Sequence, residues 1–399
     1  MPNIERWLFQ NTCDGVSALI QSLSFGFIAV CALLTLTLST SAQDHLLRGY
    51  SIPVVDLSDQ AQRQVVVDIE QGQYLGHVTT TLLPDGHTIL AVYPKGHGRG
   101  EIVYKRSRDG GRHWSERLPT PTSWRTSLEV PTIYQTVDIT GKRRLILFSG
   151  LYPIREAVSE DLGRHWSELK PIGDFGGIVA MSCLTRLKNG NYVAMFHDDS
   201  RYFSRTASKD ANTFTLYQTI SADGGLTWGK PTPIFSSSEI HLCEPGIIRS
   251  PDGARLAVLL RENSRTRNSY VIFSEDEANS WSVPRELPAA LTGDRHTAVY
   301  TPDGRLVITF RDTTHVSATK GDWVCWVGSF EDIARGTEGG YRVRLMKNYH
   351  AWDCAYSGLE ALKDGTLVAT TYGHWQQNEQ PYIVCVRFKL EETDKRLRR

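Results

Sequence analysis

A short octamer recurs along the chain and constrains its fold more than any other feature. The pattern is Ser-x-Asp-x-Gly-x-x-Trp, and three full copies span residues 107–114, 159–166 and 221–228. A fourth copy at residues 274–281 has Ala278 in the place of the glycine. One pattern repeated at intervals of roughly fifty to sixty residues indicates an array of similar supersecondary units.

The octamer has the chemistry of a structural turn. Its glycine can adopt a positive φ, and its aspartate can accept hydrogen bonds from nearby backbone amides. The tryptophan would anchor the hairpin in the apolar layer between neighbouring sheets. We therefore interpret the octamer as a device that stabilises the fold. We assign no catalytic role to the histidines inside it, His113 and His165.

A second repeat lies between the octamers. Each unit contains an apolar strand, a turn and a further strand, and Asp-Gly or Asn-Gly turns are the strongest short hairpin signal. These turns contain Asp85, Asn189, Asp252, Asp303 and Asp364, and a looser unit surrounds Gly141. Six units without long helical periodicity predict an all-β fold, a six-bladed β-propeller of four-stranded antiparallel blades. Residues 64–69 would supply the strand that closes the ring.

The first 42 residues predict an export segment. Residues 16–38 carry no charge, and Thr40, Ser41 and Ala42 are small residues suited to signal-peptidase cleavage. The apolar run is also long enough to span a bilayer, so a cleaved signal peptide and a retained anchor both stay open. We expect a secreted or periplasmic protein with a lead-in over residues 43–63, the propeller over 64–390 and a charged tail over 391–399.

The composition argues against several classes of function. Lys and Arg together number 44, as do Asp and Glu, and no basic run is long enough to follow a phosphate backbone. We therefore expect no nucleic-acid partner. Five cysteines follow residue 42 without metal-ligand spacing, and we expect buried free thiols: Cys183, Cys243, Cys325, Cys354 and Cys385. We predict no metal or cofactor, and a monomer that meets a membrane only through an N-terminal anchor.

Alignment of the turns places polar residues at one level of the predicted central channel. Ligand sites of propellers lie where the innermost strands begin and the next strands end. In each unit these two points lie about eight residues before and eight residues after the Asp-Gly or Asn-Gly turn. The first set is His77, Glu129, Glu244, Arg295 and Tyr356, with Glu129 the nearest equivalent in its unit. The second set is Tyr93, His197, Arg261, Arg311 and Tyr372, with Arg261 displaced by one residue. Such polar groups need a ligand or each other.

Each arginine of this ring could instead pair with a neighbouring carboxylate. The sequence offers Glu262, Asp294 and Asp312 as partners. A buried pair of that kind would be structural, so the ring by itself leaves ligand binding and internal pairing open.

Two segments carry a more specific resemblance. Residues 243–261 run from Cys-Glu-Pro-Gly to Arg261, and residues 355–365 contain Tyr-Ser-Gly-Leu and a later Asp-Gly. With the octamer, known as the Asp box, they resemble the sialidases, which are six-bladed propellers. The resemblance covers nearly all of the chain after the leader. It implies that Tyr356 is the nucleophile, that Glu244 is the base that helps to ionise it, and that Arg261, with Arg311 or Arg295, binds a substrate carboxylate.

The chemistry of such a substrate suits these residue types. A sialic acid carries its carboxylate on the anomeric carbon, which would repel a carboxylate nucleophile but not a neutral phenol. The phenol has a pKa of about 10 and therefore needs a nearby base. Guanidinium groups match the planar geometry of a carboxylate.

The first unit departs from the family pattern. His77 stands where the family has an arginine, and the loop 94–100 lacks the family's acid/base aspartate. His97 or His77 would then act as the acid/base, because histidine titrates near neutrality. We assign substrate contacts to His197, Tyr93, Tyr372 and Glu129.

Three functions stay open at this point. The first is a sialidase-like glycoside hydrolase that removes a terminal anionic sugar. The second is a uronic-acid-specific polysaccharide lyase or hydrolase that uses tyrosine, histidine and arginine. The third is a non-catalytic propeller that binds glycans.

Overall fold

A computed structural model describes residues 48–398, so the predicted signal or anchor segment lies outside the described residues. The chain divides into two units, Met1–Arg48 and Gly49–Arg399. In the first unit only Arg48 is described, and the fold below is that of the second unit. Between residues 48 and 398, no helix is both long and apolar enough to cross a bilayer.

The second unit consists mainly of β-strands. In chain order they are β1 Val54–Asp56, β2 Gln64–Asp68, β3 Thr79–Leu82, β4 Ile89–Pro94, β5 Ile102–Ser107, β6 Thr132–Val137, β7 Arg143–Ser149, β8 Arg155–Ser159, β9 Lys170–Pro171, β10 Ile178–Arg186, β11 Tyr192–Asp198, β12 Phe214–Ser221, β13 Thr232–Ser237, β14 Leu242–Arg249, β15 Leu256–Glu262, β16 Tyr270–Ser274, β17 Arg285–Glu286, β18 Gly293–Tyr300, β19 Leu306–Asp312, β20 Trp323–Gly328, β21 Tyr341–Met346, β22 Gly358–Ala361, β23 Thr366–Gly373 and β24 Tyr382–Lys389. Two α-helices are present among the described residues, α1 Phe330–Arg335 and α2 Leu390–Leu397. Short 3₁₀ turns span Ala61–Arg63, Thr122–Thr126 and Ala289–Leu291.

The strands form six antiparallel sheets that follow one another around a ring. Their orders are β3-β4-β5, β6-β7-β8-β9, β10-β11-β12-β13, β14-β15-β16-β17, β18-β19-β20-β21 and β22-β23-β24-β2. The first strand of each sheet contacts the first strands of the two neighbouring sheets, and β22 contacts β3. The predicted six-bladed β-propeller is therefore confirmed, with the first strand of every blade lining the axis.

Strands from the N-terminal side complete two blades. β2 pairs antiparallel with β24, which confirms the predicted closure of the ring by this segment. β1, which lies within the predicted lead-in, adds a parallel strand to the outer edge of the fifth blade through β21. The residues of the predicted charged tail form most of α2, whose Leu390 and Thr393 are buried.

The first blade has three regular strands rather than the predicted four. Its outer position is occupied by an irregular segment whose Ser115 and Leu118 amides donate to the carbonyls of Arg106 and Tyr104, both at 2.8 Å. Pro119 and Pro121 follow directly. Proline has no N–H to donate to a sheet, which limits the pairing here to two bonds.

The Asp boxes have the structural role that the sequence predicts. Each begins at the end of the third strand of its blade, and in the first copy the Asp109 carboxylate accepts from the amides of Arg112 and His113. The Gly111 amide donates to the Ser107 hydroxyl at 2.8 Å. Trp114 packs against the apolar cluster shared with the neighbouring blade. The five predicted free cysteines are all buried and unpaired with one another.

Substitution of Gly163, the glycine of the second Asp box, by alanine is expected to destabilise the protein by roughly 2–3 kcal/mol. Its φ is +80°, and an added Cβ would lie 2.3 Å from the Tyr104 hydroxyl of the first blade. Gly190→Ala is the matched control, because its φ is +92° but only the end of the Arg186 side chain lies near, at 3.6 Å. Urea-induced unfolding measures the free energy of unfolding of both variants. An equal loss of stability in the two would contradict the argument that the contact with Tyr104 causes it.

Glu156 makes the stability of the fold depend on pH. Its carboxyl is buried on β8, and burial raises its pKa to about 8, although the Trp228 indole donates to it at 3.0 Å. The folded state therefore holds this proton more tightly than the unfolded chain, in which the pKa of the Glu156 carboxyl is near 4.5. Stability should fall by about 1.4 kcal/mol per pH unit as the pH rises through that window toward 8. Glu156→Gln should flatten this fall in unfolding measurements, whereas the exposed Glu116→Gln should not.

Candidate active site

The innermost strands begin with an unusual backbone conformation. Four residues that lie eight positions before their turns, in four different blades, have φ between 50° and 56°: His77, Glu244 and Arg295 of the ring, and Met181 in the third blade. The strand register shifts at or beside three of them. A non-glycine residue in this region costs of order 1–3 kcal/mol, and such strain concentrates at functional sites. The bulges therefore mark this end of the channel as a candidate site.

A cavity of about 460 Å³ lies at the same end of the channel. Six of its lining residues were predicted from the sequence: His77, His97, Arg261, Arg311, Tyr356 and Tyr372. Others were not predicted, among them Arg265, Lys320 and Trp352. The ring alignment thus brings residues from the first, fourth, fifth and sixth blades to one place.

Tyr356, Glu244 and Arg261 are in direct contact. The Tyr356 hydroxyl donates to Glu244 Oε1, and Arg261 Nη1 donates to the same oxygen at 2.6 Å and to the phenol oxygen at 2.9 Å. Tyr356 and Glu244 are almost fully buried. Burial and the charge of Glu244 raise the pKa of Tyr356 well above its usual value, although Arg261 acts in the opposite direction. The phenol is therefore neutral at rest, with its proton already directed at a carboxylate.

Three arginines converge on one buried carboxylate, that of Asp294. Arg265 and Arg311 each donate two hydrogen bonds to Asp294, and Arg261 Nε lies 3.2 Å from its Oδ1. Burial would raise the pKa of Asp294, but the three guanidinium groups hold it well below its usual range. The internal pairing that the sequence left open is thus present for Arg261 and Arg311. Arg265 lies in the loop after β15, outside the ring register, so alignment of the turns could not find it.

A carboxylate–histidine pair lies at the rim of the cavity. His97 Nδ1 lies 3.1 Å from Asp353 Oδ1 and 2.7 Å from the Tyr74 hydroxyl, which itself donates to Asp353 at 2.7 Å. Burial would raise the pKa of Asp353, but hydrogen bonds from His97 and Tyr74 lower it, so Asp353 is ionised. Sequence reasoning missed Asp353 and Tyr74, because neither stands at a ring position.

His77 has a different environment from His97. Its Nδ1 accepts a hydrogen bond from the Gly98 amide at 3.0 Å, and its Nε2 lies 3.3 Å from the Tyr372 hydroxyl. Burial and the neighbouring His97 hold the pKa of His77 well below its usual value. It is therefore a neutral imidazole with its proton on Nε2, and its ring packs 4.7 Å from that of Tyr356.

Five predicted site residues are not among those that line this cavity, and one of them, Glu244, instead contacts two that do, Tyr356 and Arg261. Tyr93 is in the core and donates to Asp68 at 2.6 Å. His197 is buried behind Glu244, whose amide donates to its Nδ1 at 3.4 Å. Glu129 accepts from the Val130 amide, and burial raises its pKa to about 7. Arg295 lines another cavity, further along the channel.

Comparison with known proteins supports the fold. Residues 60–234 match the BNR repeat-like domain. No curated protein sequence matches the chain. Among solved structures, a protein of unknown function from Dyadobacter fermentans is 14% identical over 82% of this chain and 97% of its own, with a TM-score of 0.64.

Several structural neighbours are named as sialidases or trans-sialidases. The leech intramolecular trans-sialidase is 14% identical over 82% of this chain and 70% of its own, with a TM-score of 0.57. A Hadza microbial sialidase is 17% identical over 80% of this chain and 66% of its own, with a TM-score of 0.58. Identities this low indicate a common fold rather than a common substrate. The chain thus contains a BNR repeat-like domain and is a six-bladed β-propeller whose structural neighbours include sialidases.

Proposed function

We propose that this protein is a sialidase-like glycoside hydrolase that removes a terminal anionic sugar. The observation that carries the proposal is the contact of Glu244 with Tyr356 and Arg261, two residues that line an open cavity. Glu244 can take the phenol proton as the Tyr356 oxygen attacks the anomeric carbon. The bond to the leaving-group oxygen breaks in the same step, and water later releases the sugar from Tyr356.

The charges around Tyr356 support an anionic substrate. Arg261, Arg265 and Arg311 carry three positive charges, and Asp294 and Glu244 carry two negative charges. This cluster of five residues therefore carries one net positive charge, enough for one carboxylate, and the Lys320 ammonium also lines the cavity. Arg311 also keeps Nη1 outside its two bonds to Asp294, because those use Nε and Nη2. A guanidinium edge held in this way can bind a substrate carboxylate without losing its internal partner.

His97 is the acid/base in this proposal. Its Nδ1 faces Asp353 and Tyr74, which leaves Nε2 for the substrate. A carboxylate that accepts from one ring nitrogen fixes the orientation of the imidazole. His97 would donate a proton to the leaving-group oxygen and would then take one from the attacking water. His77 is less suited to this role, because its Nδ1 already accepts from a backbone amide.

A second candidate is a lyase or hydrolase that acts on uronic acids. The observation that favours it is the position of His77 between His97 and Tyr356. The centroid of the His77 ring lies 4.5 Å from that of His97 and 4.7 Å from that of Tyr356. A lyase needs a base and an acid on either side of a carboxylate-bearing sugar, and tyrosine and histidine can supply both. This reaction would leave an unsaturated uronate that absorbs ultraviolet light.

One set of assays distinguishes the candidates. The purified protein is incubated with an aryl α-sialoside and, separately, with uronate polymers under ultraviolet absorbance. Release of the aryl group supports the hydrolase, and a rise in absorbance supports the lyase. If both signals are absent and the protein still binds glycans on an array, both enzymatic candidates are contradicted and a glycan-binding propeller is supported.

Export of the protein is proposed from the apolar segment 16–38, and fractionation of the producing cells tests it.

His97→Gln is expected to lower the rate of hydrolysis of natural glycosides by about 10²-fold or more. The rate for aryl substrates with good leaving groups should fall far less. The reason is that a good leaving group departs without a proton, so only poor leaving groups need the acid. Asp353→Asn should show the same pattern with a smaller effect. The exposed His113→Gln is the control and should match the parent on both substrates. An equal loss on both substrate types would contradict an acid role for His97.

A further inference from the structure

A second cavity lies on the axis of the propeller. Its volume is about 190 Å³, and residues of the first strand of every blade line it. Its polar lining includes Arg295, Glu360, Tyr134 and several hydroxyl groups. None of these residues belongs to the cavity that contains Tyr356.

Arg295 differs from the other buried arginines of this chain. It is 5% exposed, yet no ion pair to it is found between residues 48 and 398. By contrast, Arg311 pairs with Asp294, and Arg342 pairs with Asp312 at 3.0 Å. A buried charge without an opposite charge is costly, so buried cations are normally paired. Arg295 therefore has no oppositely charged partner among residues 48–398.

Several uncharged polar groups share the cavity with Arg295. The Tyr134 hydroxyl faces the same cavity, and burial raises the pKa of Tyr134, whereas the charge of Arg295 acts to lower it. Tyr134, however, donates its own proton to the carbonyls of Met181 and Ser182, at 2.7 Å and 2.8 Å, so it offers Arg295 only lone pairs. The Thr79, Thr297 and Ser357 hydroxyls on the same wall also donate to carbonyls. These oxygens can accept hydrogen bonds, but they carry no charge.

Glu360 does not take the place of the missing counter-charge. It lines the same cavity, but its carboxyl accepts from the Thr80 hydroxyl at 2.7 Å, and no ion pair joins it to Arg295 within the described part of the chain. Burial raises the pKa of Glu360 to about 7, so near neutral pH much of it is protonated. Glu360 is thus only partly ionised near pH 7, and no ion pair joins a carboxylate to Arg295 among the described residues.

We propose that a small inorganic monoanion of the halide class occupies this cavity and pairs with the Arg295 guanidinium. The space suffices for such an ion with a few waters, since a water takes about 30 Å³. The ion would hold together the first strands of the blades that surround it. This proposal does not depend on the reaction at Tyr356.

Two measurements on the full protein test the anion site. Crystals soaked in sodium bromide should show an anomalous peak within hydrogen-bonding distance of the Arg295 guanidinium. The melting temperature should rise saturably in sodium chloride by about 2 °C or more over sodium gluconate at equal ionic strength. Arg295→Met should abolish the difference between the salts, and the exposed Arg143→Met should keep it.

The two measurements on the unaltered protein decide the matter even if Arg295→Met does not fold. Absence of either the bromide peak or the chloride-specific rise would overturn the proposal and leave a channel filled with water. A retained difference between the salts in a folded Arg295→Met protein would also overturn it, since the stabilising anion would then bind elsewhere.

Discussion

Replacement of Tyr356 by phenylalanine is expected to lower kcat for an aryl sialoside by about 10³-fold or more, with a much smaller change in KM. The phenol oxygen is the group that would form the bond to the anomeric carbon, and phenylalanine retains the ring without that oxygen. Glu244 and Arg261 would remain paired at 2.6 Å, so the wall of the cavity should keep its shape. Steady-state kinetics with matched circular dichroism measures the effect.

Tyr93→Phe is the matched control for this variant. Tyr93 is equally buried and its hydroxyl is also bonded to a carboxylate, that of Asp68, but it does not line the cavity. We expect its activity to stay within about 2-fold of the parent, with a loss of stability of about 1 kcal/mol for one hydrogen bond. A Tyr356→Phe protein that kept a tenth of the parental kcat would rule out Tyr356 as the nucleophile.

Replacement of Asp294 by asparagine is expected to cost roughly 3–5 kcal/mol of folding free energy. The carboxylate is fully buried, and it is the common partner of Arg261, Arg265 and Arg311. Asparagine has nearly the same shape, so the loss would come from three guanidinium groups that repel one another without the charge between them. Urea-induced unfolding at neutral pH measures it.

Asp303→Asn separates this effect from the general cost of removing an ion pair. Asp303 pairs with Arg305 at 2.7 Å, but its side chain is about half exposed and Arg305 has a second partner in Asp394. Exposed pairs contribute about 0–1 kcal/mol, so this variant should lose little. Losses of similar size at the two positions would contradict a structural role for Asp294 beneath the three arginines.

The fold was predictable because its signals are local. A turn of the Asp-box type needs a serine, an aspartate and a glycine within a few residues, so each copy marks one blade wherever it occurs. The outer position of the first blade differs from expectation, because Pro119 and Pro121 interrupt its pairing with β5, and the fifth blade gains the parallel strand β1.

The candidate site was predictable mainly where its residues follow the repeat, and His97 was predicted instead from the loop that departs from the family pattern. Tyr356 and Glu244 stand at the same distance from their turns, and their contact lies across 112 positions of sequence. Arg265, Tyr74 and Asp353 lie in loops outside that register, and loops carry no periodic signal. Arg295 follows the register, yet its side chain lines the second cavity rather than the first.

The sequence by itself thus determined the blade number, the order of the blades around the ring and the register that brings Tyr356, Glu244 and Arg261 to one level of the channel. Only the tertiary structure decided how the charges at that level are paired. Arg261 and Arg311 share Asp294, His97 is held by Asp353, and Arg295 has no carboxylate partner among the described residues. The physical reason is that repeat spacing specifies backbone position, whereas ion pairing depends on which side chains and loops from different blades approach within a few ångströms of one another.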